Sequence, residues 1–253
     1  MTESKQFFAR QTEADFDHLV VILRDQLEAL TPQLRHQGFT LTPLARHSLG
    51  SINQVIALRD SYIELLGWPA GTTPLRKEIA NQPIGLDALV FRSYDAHKTY
   101  ERLKQEGFAV QPVQPLERPT PVGEEEVTVR FSTVRFAEQP LAGLRLYFCQ
   151  HLTPEYVWAN EYTHHRNKAL ALTQITVKAP DAQAAATVLG QVAGVQPQPH
   201  PSGAPHWQVP LGNAQIEILQ QAQLTRAQIT DATIRYADQS ERRLGQLLDV
   251  EAS

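Results

Sequence analysis

One short pattern occurs four times along this chain, and it constrains the fold more than any other feature. Each copy runs strand, Asp, helix, turn: DHLVVILRD from Asp17 precedes QLEALTPQLRHQ and Gly38, and DALVFRSYD from Asp87 precedes AHKTYERLKQE and Gly107. TQITVKAPD from Thr173 precedes AQAAATVLGQVA and Gly194, and ITDATIRYAD with SERRLGQLL forms a shorter fourth copy. Alternating apolar residues such as Leu19, Val21 and Leu23 predict a strand with one face on a helix. Asp25, Asp95 and Asp181 stand where a helix N-cap is expected, and Gly38, Gly107 and Gly194 where a left-handed residue closes the helix. Further strand patterns follow the first three helices: FTLTPLAR, INQVIAL and SYIELLG; FAVQPVQPLERP, VTVRFSTVRF and LRLYFCQH; VQPQPHP, HWQVPLG and AQIEILQ. The unit is βαβββ. The turn or loop segments include HSLGS after the first of these strands and the run EEEV at 124–127.

The expected class is therefore α+β, with repeated βαβββ modules pairing into curved mixed sheets. Modules are expected at 15–68, 84–152 and 170–222, with linkers at 69–83 and 153–169 and a truncated fourth βα unit at 223–253. A single such sheet leaves its helix-free face exposed, so two units are expected to close that face into a half-barrel cup. Strand parity places His18, Val20 and Ile22, then Ala88, Val90 and Arg92, then Gln174, Thr176 and Lys178 on the concave side. It places Tyr62 and Glu64 there from module one, Arg145, Tyr147, Cys149 and His151 from module two, and Gln215 and Glu217 from module three. Carboxylates, Gln and His on an interior face cost several kcal/mol unless water, a ligand or a metal satisfies them.

Composition narrows the partners. The 253 residues carry 23 basic and 27 acidic side chains, a formal charge of −4, with no basic patch for nucleic acid or anionic membrane. With 42% apolar residues the chain is neither disordered, collagen-like nor coiled coil. No run approaches the ~20 apolar residues of a membrane span, and the acidic start does not read as a signal peptide, so a cytoplasmic protein is expected. Cys149 is the single cysteine, so no internal disulfide forms and burial must supply stability.

The stretches DHLVV (17–21), RHSLGSIN (46–53), YIELLG (62–67), FCQHLTPEYVW (148–158) and HHRNKA (164–169) resemble the vicinal oxygen chelate superfamily, and within it the glyoxalase-like-domain proteins. The resemblance covers roughly residues 15 to 222. It implies a divalent metal in the cup, held by residues from the first and last strands of two modules. Carried over, these are His18 and Glu64 from module one with Gln174 and Glu217 from module three. Oxygen and nitrogen donors suit Zn, Ni, Mn, Fe or Mg. No nucleotide cofactor is implied.

In module two, Ala88 stands where His18 and Gln174 stand in the others, and no Glu flanks Cys149. Two arrangements follow: module two pairs with module one, with His151 assisting His18 and Glu64, or the copies pair differently and module two is structural. The fourth copy would then offer an edge strand to a second chain, giving a homodimer. Glu64, Glu217 and His151 are the candidate catalytic groups, and Tyr62, Arg92, Arg145, Tyr147 and Cys149 the candidate substrate contacts. Arg92, Arg145 and Arg235 are candidates to hold a substrate carboxylate, with surface pairing the simpler reading for Arg235. HHRN is read as a loop opening module three. The function implied is metal-dependent lyase or isomerase chemistry on a small organic substrate. The alternative is a non-enzymatic binder with aromatic walls from Tyr62, Tyr147, Trp158 and Trp207, and a third reading is an interaction protein on an inactive fold.

Overall fold

The structure is a computed structural model, and it describes residues 15–47, 50–75, 77–122, 125–203 and 205–248. Module one contributes β1 (Phe16–Arg24), α1 (Leu27–His36), β2 (Ala45–Arg46), β3 (Ile52–Ala57) and β4 (Tyr62–Gly67). After a short α2 (Lys77–Ala80), module two contributes β5 (Gly85–Arg92), α3 (Ala96–Gln105), β6 (Gln114–Val122), β7 (Glu125–Arg135) and β8 (Arg145–His151). Two single turns, α4 (Pro154–Val157) and α5 (Asn160–Thr163), lead to β9 (Ala169–Ala179), α6 (Ala182–Ala193), β10 (Gln198–Pro199), β11 (His206–Pro210) and β12 (Gln215–Gln220). The fourth copy is β13 (Gln228–Tyr236), β14 (Glu241–Arg243) and α7 (Leu244–Leu248). No described helix is long and apolar enough to cross a membrane.

The pairing is now explicit. Modules one and two form one eight-stranded sheet, β2-β3-β4-β1-β5-β8-β7-β6, joined where β1 runs antiparallel to β5. Module three and the fourth copy form a six-stranded sheet, β10-β11-β12-β9-β13-β14, joined in the same way by β9 and β13. The fourth copy thus completes module three inside the chain, which removes the argument that its strand awaits a second protomer.

Three local expectations change. Asp95 and Asp181 do cap their helices, accepting from the amides of His97 and Lys98 and of Ala184, but α1 starts at Leu27 and Asp25 sits in the turn before it. The reason is the tight exit of β1: Arg24 has φ 53, and a Cβ on Gly67 would stand 2.2 Å from its carbonyl oxygen. FTLTPLAR and VQPQPHP shrink to two-residue strands, β2 and β10, because prolines deprive the ladder of donors. The strand β7 begins at Glu125 within the expected EEEV loop; Glu124, and Ser48 and Leu49 of the expected HSLGS turn, lie outside the described residues.

A repeated irregularity decides which side chains reach the cup. In β1 against β5, Phe16 pairs with Phe91 and His18 with Val90, so Asp17 is an extra, unpaired residue. Asp87 is extra in β5 by the same register, Thr173 in β9 and Thr230 in β13. Such a bulge breaks strict alternation and swings its residue toward the neighbouring face. Phe16 and Leu19, three apart, consequently both lie in the helix-side core.

That core is shared. Leu19 and Val21 of β1, Ile175 and Val177 of β9, and Leu34, Leu103 and Leu189 of the helices belong to one continuous cluster. The helix-bearing faces of both sheets therefore meet, and their concave faces point away from the common core. Asn213 ties the two sheets through both main-chain polar groups of Phe16.

Candidate functional site

The concave face of the eight-stranded sheet holds a second cluster, built from Val20, Ile22, Val90, Phe131, Tyr147 and Cys149 among others. Asp17 lies at its centre, fully buried. Its Oδ1 accepts from Arg92 Nε at 2.8 Å, and its Oδ2 accepts from His18 Nδ1 at 2.7 Å and from His151 Nε2 at 2.9 Å. Burial pushes this carboxyl up, but His151, Arg92 and His18 outweigh burial and hold it well below the usual carboxylate range. Asp17 is therefore ionised, which places protons on Nδ1 of His18 and Nε2 of His151. Burial outweighs Asp17 at His151 and lowers its pKa, so that imidazole stays neutral at physiological pH.

His18 presents its other nitrogen to the cup. Nε2 lies 3.0 Å from the Tyr147 hydroxyl and 3.8 Å from Glu64 Oε2, while the ring stacks on Tyr62 with centroids 4.3 Å apart. Glu64 Oε1 accepts from Asn53 Nδ2 at 2.7 Å. Burial raises the Glu64 carboxyl, yet His18, Asn53, His47 and Arg118 together bring it below its ordinary value. Burial also pushes up Tyr147 and the Cys149 thiol, so both keep their protons. A protonated thiol is a packing and contact group here rather than a nucleophile. His18, Tyr62, Glu64, Tyr147 and Cys149 all line one cavity of about 60 Å³. That is room for a handful of waters or a ligand of a few heavy atoms, at ~10 to 15 Å³ per water.

The register makes module two's contribution plain. His18 pairs with Tyr62 and Val20 with Glu64, while Ala88 pairs with Arg145 and Val90 with Tyr147. Tyr147 thus occupies in module two the place of Glu64 in module one, as Ala88 occupies that of His18.

The expected four-ligand set is not one site. Gln174 and Glu217 stand on the six-stranded sheet, where Gln174 Nε2 donates to Glu217 Oε2 at 2.7 Å and His200 Nε2 lies 3.5 Å from Glu217 Oε1. They are half of a second cup, facing away from His18 and Glu64 because the helix-side core lies between the sheets. The two arginines expected to meet a substrate carboxylate are engaged elsewhere. Arg92 is held by Asp17 and by the Asp60 carbonyl, and Arg145 by Asp87. Arg235 lies on β13 of the second sheet. His151 supports Asp17 from behind the cavity. Tyr162 and Trp158 pack at the cup wall, whereas Trp207 packs on the shared core. His164 and His165 lie between α5 and β9, as a loop reading requires, and point apart: His165 is buried, with Nδ1 accepting from the Thr40 amide and Nε2 donating to the Ala57 carbonyl.

Sequence parity missed Asp17, Asn53, Arg118 and Arg135. Asp17 sits at an odd position that parity assigns to the helix side, and only the bulge turns it inward. Its recurrence as Asp87 in DALVF was the available signal.

Two groups of side chains can be tested for a metal. Donor atoms of Asp17, Cys149 and His151 lie within 4.8 Å of one another. Asp17 there already accepts three donors, one the Arg92 guanidinium, and a cation beside Arg92 would be repelled. The other group fits better. His18 Nε2, the ionised Glu64 Oε2 and the Tyr147 oxygen converge from β1, β4 and β8, and two of them carry the support that metal ligands characteristically have: Asp17 on the far nitrogen of His18, and Asn53 on Glu64.

Comparison with known proteins agrees with this architecture. The model of a glyoxalase-like domain family matches residues 16–193. A hypothetical protein from Staphylococcus aureus superposes with a TM-score of 0.68 at 12% identity, covering 90% of this chain and 98% of its own. A xylose isomerase-like TIM barrel/4-hydroxyphenylpyruvate dioxygenase fusion protein gives a TM-score of 0.55 at 13% identity over 89% of this chain, which spans only 37% of the fusion. No curated protein matches the sequence. The match over well over half the chain, on paired βαβββ modules, makes this protein a member of the glyoxalase-like domain family.

Proposed function

We propose that the first cup holds a divalent metal and acts on a small organic substrate by lyase or isomerase chemistry. The observation that carries this reading is the Asp17–His18 pair, which fixes the imidazole with its Nε2 lone pair toward the cavity, 3.8 Å from the Glu64 carboxylate. His18 and Glu64 would hold the ion, which would supply Lewis acidity toward a substrate oxygen. The protein's own groups have separate tasks. Glu64, ionised, accepts a proton at Oε2, and Asn53 keeps that oxygen turned to the cavity. Tyr147, its pKa raised by burial, remains a donor at its hydroxyl. Tyr62, stacked on His18, and Phe131 shield the site from bulk water. Ala88, in the place a second strand histidine would take, supports proton-transfer chemistry over reaction with dioxygen.

A second reading, a non-enzymatic binder, is favoured by Ala88, which leaves module two one donor short, and by the aromatic walls of Tyr62, Tyr147 and Phe131. Metal analysis of the purified protein separates the two. The expected result is close to one first-row metal per chain, lost in His18→Ala and in Glu64→Ala and kept in Glu217→Ala. Stoichiometry near zero in the unaltered protein, or an ion that survives Glu64→Ala, would leave the binder.

A further inference from the structure

We infer that Arg118 and Arg135 form an oxyanion subsite in the first cup, so that its ligand is a small molecule bearing a carboxylate or a phosphate group. The inference deepens the reading above and rests on that cup being the ligand site. Arg118 comes from β6 and Arg135 from β7, and both line the cavity that holds Glu64. The Arg135 guanidinium lies 4.9 Å over the Tyr147 ring, which fixes its plane, and Arg118 Nη1 donates to Thr120 Oγ1 at 2.9 Å.

The contrast with the other two arginines of this cup is instructive. Arg92 and Arg145 each have a carboxylate, Asp17 and Asp87. Among the described residues no carboxylate oxygen lies within 4 Å of Arg118 or Arg135. Glu64 is the one described carboxylate lining the cavity against these two guanidiniums, so the lining carries a surplus positive charge before any imidazole is counted. Burial pushes the Arg118 pKa down from its ordinary value, although Glu64 and Tyr62 oppose that shift. A partly desolvated cation without a carboxylate beside it is a cost to the folded state that a bound anion would offset. Guanidinium groups suit this task because a planar fork meets two oxygens of one carboxylate or phosphate at once. A second observation points the same way. Asn53 is 3% exposed and lines the cavity, and its Oδ1 has no hydrogen-bond partner while Nδ2 is committed to Glu64. That oxygen calls for a donor from the cavity, so a ligand hydroxyl beside the anionic group would satisfy both.

Calorimetry on the full chain, stripped of metal by chelator, tests this with glycolate, its neutral counterpart glycolamide, and inorganic phosphate. The expected result is saturable binding of at least one anion and glycolamide binding at least tenfold weaker. Arg118→Gln and Arg135→Gln should each weaken the anion tenfold or more, with Arg118→Lys intermediate. Arg130→Gln, at an exposed arginine on the same strand that pairs with Glu117 instead, should change nothing. Preference for phosphate over glycolate assigns a phosphate monoester and the reverse a carboxylate, and either supports the subsite. Glycolamide binding as well as glycolate, anion binding unaltered in the two Gln variants while their thermal midpoints match the unaltered protein, or no saturable anion at all would each overturn it. Because the chelated protein is used, an arginine-dependent anion can be found even if the metal reading fails, and the metal can be found even if the subsite fails.

Discussion

The two cups of this protein are built on the same plan, and they have been filled differently. Each joins two modules through an antiparallel first-strand pair, and each carries two bulges at matching places. In the first cup the bulge residues are Asp17 and Asp87, each neutralised by an arginine; in the second they are Thr173 and Thr230. The strand position after the bulge is His18 in one and Gln174 in the other, and a last-strand glutamate follows in both, Glu64 and Glu217. The first cup is closed by β6, β7 and the turn α4, leaving Asp17 and His18 buried. In the second, Glu217 and Gln174 are half-buried and bond each other, with Thr176, Gln215 and His200 beside them. Glu64 and Glu217 are equally exposed, at 18% of each side chain, so what differs is their company: Glu64 meets His18 and Asn53 with Arg118 nearby, and Glu217 meets Gln174 and His200. YIELL and QIEIL look alike in sequence and meet different neighbours.

Substitutions at matched places separate the cups. The largest effect is expected from Asp17→Asn, which removes the buried negative charge that Arg92, His18 and His151 share. Loss of one partner of a buried ion pair costs about 3 to 5 kcal/mol, so urea unfolding should show a large drop in midpoint. The matched Thr173→Ala, on the half-exposed second sheet, should stay within about 0.5 kcal/mol. Equal losses at both places would mean that the bulge geometry, rather than the Asp17 network, carries the stability.

Next in size is a pH effect at the junction between module one and the loop leading to β9. Burial lowers the His165 pKa, with the Ala57 carbonyl opposing, and its Nδ1 must stay unprotonated to accept from Thr40. The unfolded imidazole takes up a proton near pH 6.5 and the folded one only at lower pH, so this group's stability is complete above ~6.5 and is lost as pH falls toward the folded pKa. His151 is lowered too and adds in the same direction. Stability curves from pH 7.5 to 5 should fall by up to ~1.4 kcal/mol per unit per proton, and His165→Gln should flatten part of that slope. A slope unchanged by that variant would remove His165 from the explanation.

Smaller still is the stability change from Glu217→Gln in the second cup. It should stay within about 0.5 kcal/mol by thermal unfolding, because the amide oxygen of the variant can still accept from Gln174 Nε2.

Much of the architecture was legible because it depends on local rules. The helix caps Asp95 and Asp181, the left-handed Gly38, Gly107 and Gly194, and the alternation of β1 and β12 follow from backbone geometry that each short segment carries by itself. The resemblance placed His18 and Glu64 side by side, and they do converge. What could not be read was which modules pair, since that depends on contacts between distant residues such as His18 with Val90 and Gln174 with Thr233. The pairing in turn decides that Gln174 and Glu217 serve another face. Asp17 was hidden for a different reason: period-two alternation assigns faces only while the ladder is regular, and one inserted residue reverses the assignment. Arg118 and Arg135 were hidden because parity was applied only to the first and last strands of each module, and they stand on β6 and β7, the two strands in between.

The most direct measurement is the position of a bound ion in crystals grown with manganese or zinc, located by anomalous scattering. One peak within ligand distance of His18 Nε2 and Glu64 Oε2, with none at Glu217, is the expected result. A peak at Glu217 and His200, or between Asp17, Cys149 and His151, would contradict the assignment of the first cup's His18 and Glu64 as the metal site.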